Sequence, residues 1–372
     1  MAAWGRRQPY VRGHVVTAGR GWSEPTDTDR SRWLAEVPPP GKTSQKRMFG
    51  SGIAADAFLD QKGIMILSSA LEAIGRTPLI ALDRIHQGPG RLLAKAEFLQ
   101  PGGSVKDRAA RAILTAARAD GRLLPGMAVV EMTSGNMGAG LAVACAILGH
   151  PLIVTMSAGN SLARAKMLEG LGAEVVLVPQ VDGTAGQVTG RDVEAAVDAA
   201  RQIATERGAF YVDQFNAAEG ITAHKTTTGA EILEQVGGTV DGWVAAVGTG
   251  STFLGVARAL KSVNPATICA AIEPDGCRPL AGESMTRPRH ILQGTGYGIV
   301  PPHWDASLMD QSIGVSDEEA EFWRGELARV EGLYVGYSAA GNVCGAIKLL
   351  KSTAMKANAI VVTVLCDTGL KY

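Results

Sequence analysis

From Ile66 onward, short apolar runs of four to eight residues alternate with helical segments, whereas residues 1–64 show no sustained apolar period. The apolar runs predict strands at 92–98, 128–133, 152–157, 174–179, 243–248, 267–273 and 359–366. Between them the pattern predicts helices at 105–119, 138–149, 161–171, 190–206, 220–235, 252–262, 317–330 and 340–351. Ser316 and Glu319 are spaced as a capping box at the head of the helix at 317. Regular alternation of strand and helix implies βαβ units and a parallel sheet.

Length and composition narrow the class. A chain of 372 residues is long enough for two domains and a large core. Lys plus Arg and Asp plus Glu are 36 each, so the balance implies no basic face for nucleic acid, and small ligands are the expected partners. Charged residues at 19% and 46 glycines suit an α/β protein with many buried strands and glycine turns. The five cysteines lack paired spacing and read as reduced, mostly buried thiols of a cytoplasmic protein. No HExxH or CxxC pattern accompanies the six histidines, so no metal is expected. The most membrane-like window, Met137 to Met156, is cut by Gly149, His150 and Pro151 and reads as core. Arg6 and Arg7 are followed by Arg12, His14 and Arg20 rather than an apolar stretch, so no export signal is read there. The Arg-, Pro- and Gly-rich residues 1–64 read as a mostly disordered extension, with Trp4, Trp22 and Trp33 available for docking.

Three segments carry candidate chemistry. In QPGGSVKDR (100–108), two glycines and a serine deliver Lys106 to the start of a helix. The positive end of the helix dipole disfavours an ammonium there and favours the neutral amine that a Schiff base needs. Taken alone, the string reads more readily as a solvated first-turn lysine beside Asp107 and Arg108, and the neighbouring segments reverse that reading. The run TSGNMGAG, Thr133 to Gly140, gathers hydroxyls, the Asn136 amide and free backbone N–H groups at a helix N-terminus, a geometry that binds carboxylates or simply caps a turn. GTGSTFLG, Gly248 to Gly255, offers small residues and hydroxyls to a phosphate. A dinucleotide reading of that turn would use Glu273 as the ribose ligand, but it leaves the Lys106 loop without a use. A reactive lysine, a phosphate cradle and a carboxylate loop are together what a pyridoxal phosphate enzyme acting on an amino acid requires.

With VDQFNAAEG to HKTTTGAEI (212–232), LQGTGYGIVP (292–301) and YSAAGN (337–342) added in order, the chain from about 66 to 372 resembles the cysteine synthase (O-acetylserine sulfhydrylase) and cystathionine β-synthase family. The resemblance implies an α/β, tryptophan synthase β-like fold (fold type II) of two α/β domains with the active site between them. A smaller mobile domain would span 106–217, and a larger cofactor-binding domain 65–105 plus 218–372. It implies pyridoxal 5′-phosphate as cofactor, a cytoplasmic homodimer, and no membrane or nucleic-acid partner. By the same resemblance Lys106 would carry the cofactor and shuttle the α-proton, Asn136 would bond the 3′-oxygen, and Gly248, Thr249, Gly250, Ser251 and Thr252 would hold the phosphate. Thr133, Ser134, the backbone at Met137, and Gln214 would take the substrate carboxylate, with Gly294 on a closing loop. Ser338 would face the pyridine nitrogen, where a neutral hydroxyl makes the ring a weaker electron sink and favours β-elimination. The implied reaction is β-replacement on O-acetylserine or a related β-substituted alanine by way of an aminoacrylate, with sulfide, a thiol or an amine as nucleophile.

Several positions depart from the family pattern. Met137 stands for the usual Thr, Ser251 for the second glycine of GTGGT, Gln100 for Asn, and Ala339-Ala340-Gly341 follows Ser338. Tyr297 in GTGYG is closer to cystathionine β-synthases, which makes homocysteine an alternative nucleophile. No cysteine precedes Lys106, so haem ligation is not implied, and the chain stops at GLKY (369–372), where altered terminal packing or partner docking is expected. A catalytically reduced homologue acting through a protein partner, and a more distant NAD-binding protein, are the other readings.

Overall fold

The computed structural model describes residues 58–59 and 65–372. Most of the expected N-terminal extension therefore lies outside the described residues, apart from a short antiparallel pair, β1 (Phe58–Leu59) with β2 (Met65–Ile66).

Two sheets form the body. The larger has six strands, β3 (Leu79–Ala81), β4 (Arg91–Lys95), β9 (Gly242–Ala246), β10 (Ile268–Pro274), β11 (Gln311–Val315) and β12 (Ile360–Val364), in the order β11-β10-β9-β12-β4-β3. Only the β3–β4 pair is antiparallel. The smaller sheet is all parallel, with order β7-β6-β5-β8 from β5 (Val129–Met132), β6 (Leu152–Ser157), β7 (Glu174–Val178) and β8 (Phe210–Tyr211). Central strands covered on both faces are mostly apolar, and all six residues of β6 are buried, its two hydroxyl residues being hydrogen-bonded: Thr155 Oγ1 donates to the Ala196 carbonyl and Ser157 Oγ accepts from Gly159 N–H.

All seven expected strands and all eight expected helices are present, with ends shifted by a few residues. The helices are α1 (Lys106–Ala119), α2 (Asn136–Leu148), α3 (Leu162–Gly170), α4 (Gly190–Arg207), α5 (Ala218–Ala223), α6 (Ala230–Val236), α7 (Ser251–Val263), α8 (Asp317–Glu326) and α9 (Tyr337–Leu350). The capping box at Ser316 and Glu319 forms as expected. A second one, Thr189 with Asp192, starts α4. The strands missed by the pattern, β3, β8 and β11, are two to five residues long and only partly buried, too short for a periodic signal.

The helix expected at 220–235 is interrupted by a π-helical turn over His224–Gly229. Its cause is local: the hydroxyls of Thr226 and Thr227 donate to the carbonyls of Thr222 and Ala223, at 2.9 and 2.7 Å, competing with the backbone N–H groups for those acceptors. The widened turn packs against α7, where a Cβ at Gly255 would lie 2.5 Å from the Ile221 carbonyl oxygen, so only glycine permits the approach.

The core divides with the sheets. Residues Ala109, Ala110, Ile113, Leu114 and Ala117 of α1 join α2, β5 and β6 in one buried cluster, whereas β9, β10 and β12 carry two others on their opposite faces. Four of the five cysteines are buried free thiols, and Cys366 is half-buried. Among the described residues no helix is long and apolar enough to cross a membrane.

Candidate active site

The carboxyl ends of β5, β9 and β12 open on one cavity of about 590 Å³. Ligands of parallel sheets sit at this edge, where strands give way to turns and helix N-termini. Four helices direct their first residues into it: Lys106 of α1, Asn136 of α2, Ser251 of α7 and Ser338 of α9. None of the four has a side-chain cap, whereas α3, α4 and α8 are capped by Ser161, Thr189 and Ser316. N–H groups left uncapped at helix starts attract anions.

Lys106, the first residue of α1 after the turn at 100–104, lines the cavity. Burial is the main force drawing its ammonium below the ordinary lysine value, while Cys366 and Glu131 pull the other way.

Each of the other sequence-predicted residues lines the same cavity. Thr133 and Ser134 follow β5, and Met137, on the next turn, also packs its side chain into the α1–α2 core. Gln214 lies after β8, its Nε2 donating to Glu131 Oε1 at 3.1 Å. Glu131 is buried, its Oε2 has no hydrogen-bond partner, and burial pushes its carboxyl up to about 8, so it is largely neutral at pH 7.

The turn Gly248 to Thr252 forms a cradle at the head of α7, with Gly250 at φ +85°. A Cβ at Gly248 would lie 2.3 Å from the carbonyl oxygen of Gly294, so this wall closes only around glycine. Thr249 and Ser251 hydroxyls sit 3.2 Å apart, and Thr252 Oγ1 is 3.2 Å from His224 Nε2. Burial pulls His224 down to about 3, so the ring is neutral, and its Nδ1 meets Thr228 Oγ1 at 2.9 Å. Free N–H groups, three hydroxyls and a space that a methyl group would fill suit a phosphate, and the desolvated amine suits an aldehyde.

Sequence reasoning missed the far wall. After β12 the chain runs past Cys366 and Asp367 to Lys371 and Tyr372, and Cys366, Lys371 and Tyr372 line the cavity. The signal available was topological: a strand parallel to β4 and β9 ends at the same edge. At the mouth, Arg164 of α3 donates to Gln293 and lies 5.9 Å from the Tyr372 ring centroid. Tyr297 meets Phe215 edge-on at 5.5 Å. Gln100, one of the departures, is buried and bonds Gly75 N–H and Glu97, a structural role outside the cavity.

A half-buried lysine, a glycine-rich turn at a helix head and a second uncapped helix end line one cavity, an arrangement that suits an enzyme working on an amino acid through a phosphate-bearing aldehyde. The family model described as Pyridoxal-phosphate dependent enzyme matches residues 70–367, and the chain belongs to that family. Cysteine synthase A of Escherichia coli (strain K12) is 37% identical over 307 residues, covering 80% of this chain and 91% of that enzyme. Among solved structures, O-acetyl serine sulfhydrylase isoform 3 from Entamoeba histolytica matches with a TM-score of 0.75 at 29% identity, over 82% of this chain and 90% of that one. The O-acetylserine dependent cystathionine beta-synthase from Helicobacter pylori matches with a TM-score of 0.74 at 28% identity, over 83% and 98%. The fold is the tryptophan synthase β-like fold type II, the cofactor is pyridoxal 5′-phosphate, and the reaction class is β-replacement.

Proposed function

We propose that the chain makes cysteine from O-acetylserine, or a closely related β-substituted alanine, with sulfide as nucleophile. One observation carries this reading: residues far apart in the chain, from Lys106 to Ser338, line a single cavity that combines a reactive amine with two anion-binding helix ends. When bound, the cofactor supplies the electron sink for breaking bonds at Cα and Cβ. Lys106 anchors it and moves the α-proton. Gly248 to Thr252 hold its phosphate, Asn136 donates to the ring oxygen and Ser338 faces the ring nitrogen. Thr133, Ser134, the Met137 N–H and Gln214 orient the substrate carboxylate, and the loop bearing Gly294 excludes water.

The test is optical. Adding O-acetylserine to the loaded protein should shift its visible absorbance to longer wavelength, and sulfide should restore the starting spectrum with release of cysteine. A spectrum indifferent to every β-substituted alanine overturns the proposal and favours a reduced homologue that acts through a partner. A second reading, condensation with homocysteine, draws on Tyr297 at the mouth beside Phe215, and mass spectrometry of products from a nucleophile screen separates the two.

Gly248→Ala should weaken pyridoxal phosphate binding by at least tenfold, about 1.4 kcal/mol, because the new methyl group collides with a backbone carbonyl rather than a movable side chain. Titration of the apoprotein measures it. We further propose that 106–217 moves as a unit over the remainder, supported by the separate cores of the two sheets. A cytoplasmic homodimer is proposed on family likeness, and the buried free thiols agree with a reducing compartment.

A further inference from the structure

The Asn136 amide is held by two groups of opposite hydrogen-bonding character. Its Nδ2 lies 2.7 Å from Asp367 Oδ2, and its Oδ1 lies 2.9 Å from Lys371 Nζ. An ammonium only donates and a carboxylate only accepts, so each contact independently requires the same orientation of the amide. Both partners are themselves fixed. Lys371 Nζ also donates to the Gly102 carbonyl at 2.7 Å, in the turn that precedes Lys106. Asp367 is fully buried and accepts from the Tyr372 hydroxyl at 2.7 Å, and its backbone bridges Ser104. The Asp367 carbonyl further accepts from Gly336 N–H at the head of α9. With one N–H and one oxygen lone pair of Asn136 so engaged, the group left to donate to a ligand is the second Nδ2 hydrogen.

We propose that Asp367 and Lys371 are positioning residues that lock Asn136 as a hydrogen-bond donor, so that the site selects a cofactor bearing an acceptor oxygen on the ring. This rests on the assignment of Asn136 to the ring oxygen. Although Lys371 lines the cavity, both residues act through the amide rather than on the cofactor. Without both partners the amide is free to turn its oxygen toward the ligand, where it repels a ring oxygen that carries negative charge, whereas either partner alone still opposes the turn. Lys371 also ties the turn before the reactive lysine to the start of α2, so one side chain couples two walls of the cavity.

The test compares apoprotein affinity for pyridoxal phosphate and for 3-deoxypyridoxal phosphate, which lacks the ring oxygen. The wild type should prefer the oxygen-bearing molecule by about tenfold or more, the usual worth of a hydrogen bond to a charged group. Lys371→Met combined with Asp367→Ala should bring that preference to within about threefold, and Lys371→Met alone, which leaves Asp367 on the amide, should keep most of it. In an Asn136→Ala background the same pair of substitutions should leave the preference unchanged, because their action runs through the amide. Merely structural residues would weaken both ligands equally, and a wild-type preference retained in the double variant overturns the proposal. An added loss of preference in the Asn136→Ala background overturns it too, since these residues would then touch the ligand themselves. Should the double variant unfold, Lys371→Met with Asp367→Leu serves in its place with the same expectations. Failure of the wild type to bind either molecule refutes instead the functional reading beneath it.

Discussion

Lys106→Ala is expected to lower kcat for β-replacement by at least about 10³-fold while leaving a folded protein. The amine serves twice, as covalent anchor and as the base at Cα, and loss of a positioned base alone costs about 10² to 10⁴ in rate. The fold should not suffer. Burial already draws this lysine below its ordinary value, so replacing it with a methyl group removes a poorly solvated amine and no ion pair. Thermal unfolding at or above the wild-type midpoint, together with absent turnover, is the expected pair of results. Borohydride treatment followed by peptide mapping should label residue 106 in the loaded wild type and nothing in the variant. Turnover near the wild-type rate would remove Lys106 from the chemistry.

Arg108→Met is expected to destabilise by about 3–5 kcal/mol, as when one partner of a buried ion pair is removed. The Arg108 guanidinium is fully buried and grips two carboxylates, Glu97 at 2.7 and 2.8 Å and Glu231 at 2.6 and 2.8 Å. Glu231 retains Lys95 at 2.7 Å in the variant, but Glu97 keeps only the neutral Thr77 and Gln100 donors. The unbalanced Glu97 carboxylate then sits in the core where it faced the guanidinium. Unfolding temperature should fall on the order of 10 °C. Adding Glu97→Gln should recover part of the loss, because a neutral amide leaves no stranded charge.

The pH dependence has a definite sign. Burial raises the Glu97 carboxyl, but the Arg108 charge and its hydrogen bonds outweigh burial and hold it below the ordinary value. A depressed acid contributes stability that is complete above the ordinary carboxylate range and is lost as pH falls through the folded value. The gap between wild type and Arg108→Met should therefore narrow in acid. Denaturation curves in neutral and acidic buffer measure it, and a gap that widens in acid would refute the assignment.

Much of the site was legible because its pieces are local. A glycine turn between a strand and a helix, as at Gly248 to Thr252, writes its backbone geometry into a few consecutive residues, and the Thr133 to Met137 turn does the same. The lysine was readable as the single amine delivered to a helix start by QPGGSV. What could not be read locally is how these turns are supported. Asn136 meets Asp367 across 231 positions, His224 meets Thr252 across 28, and Gln214 meets Glu131 across 83.

By itself, then, the sequence determined the order of strands and helices, the three reactive turns and, by resemblance, the chemistry they serve. Short-range hydrogen bonding and apolar periodicity are properties of neighbouring residues. Tertiary structure alone decided that burial lowers the Lys106 ammonium below its ordinary value, that Arg108 anchors α1 by ion pairs, and that the residues after β12 form a wall of the cavity. Desolvation and buried charge pairing depend on what the rest of the chain packs around a group, which no local pattern records.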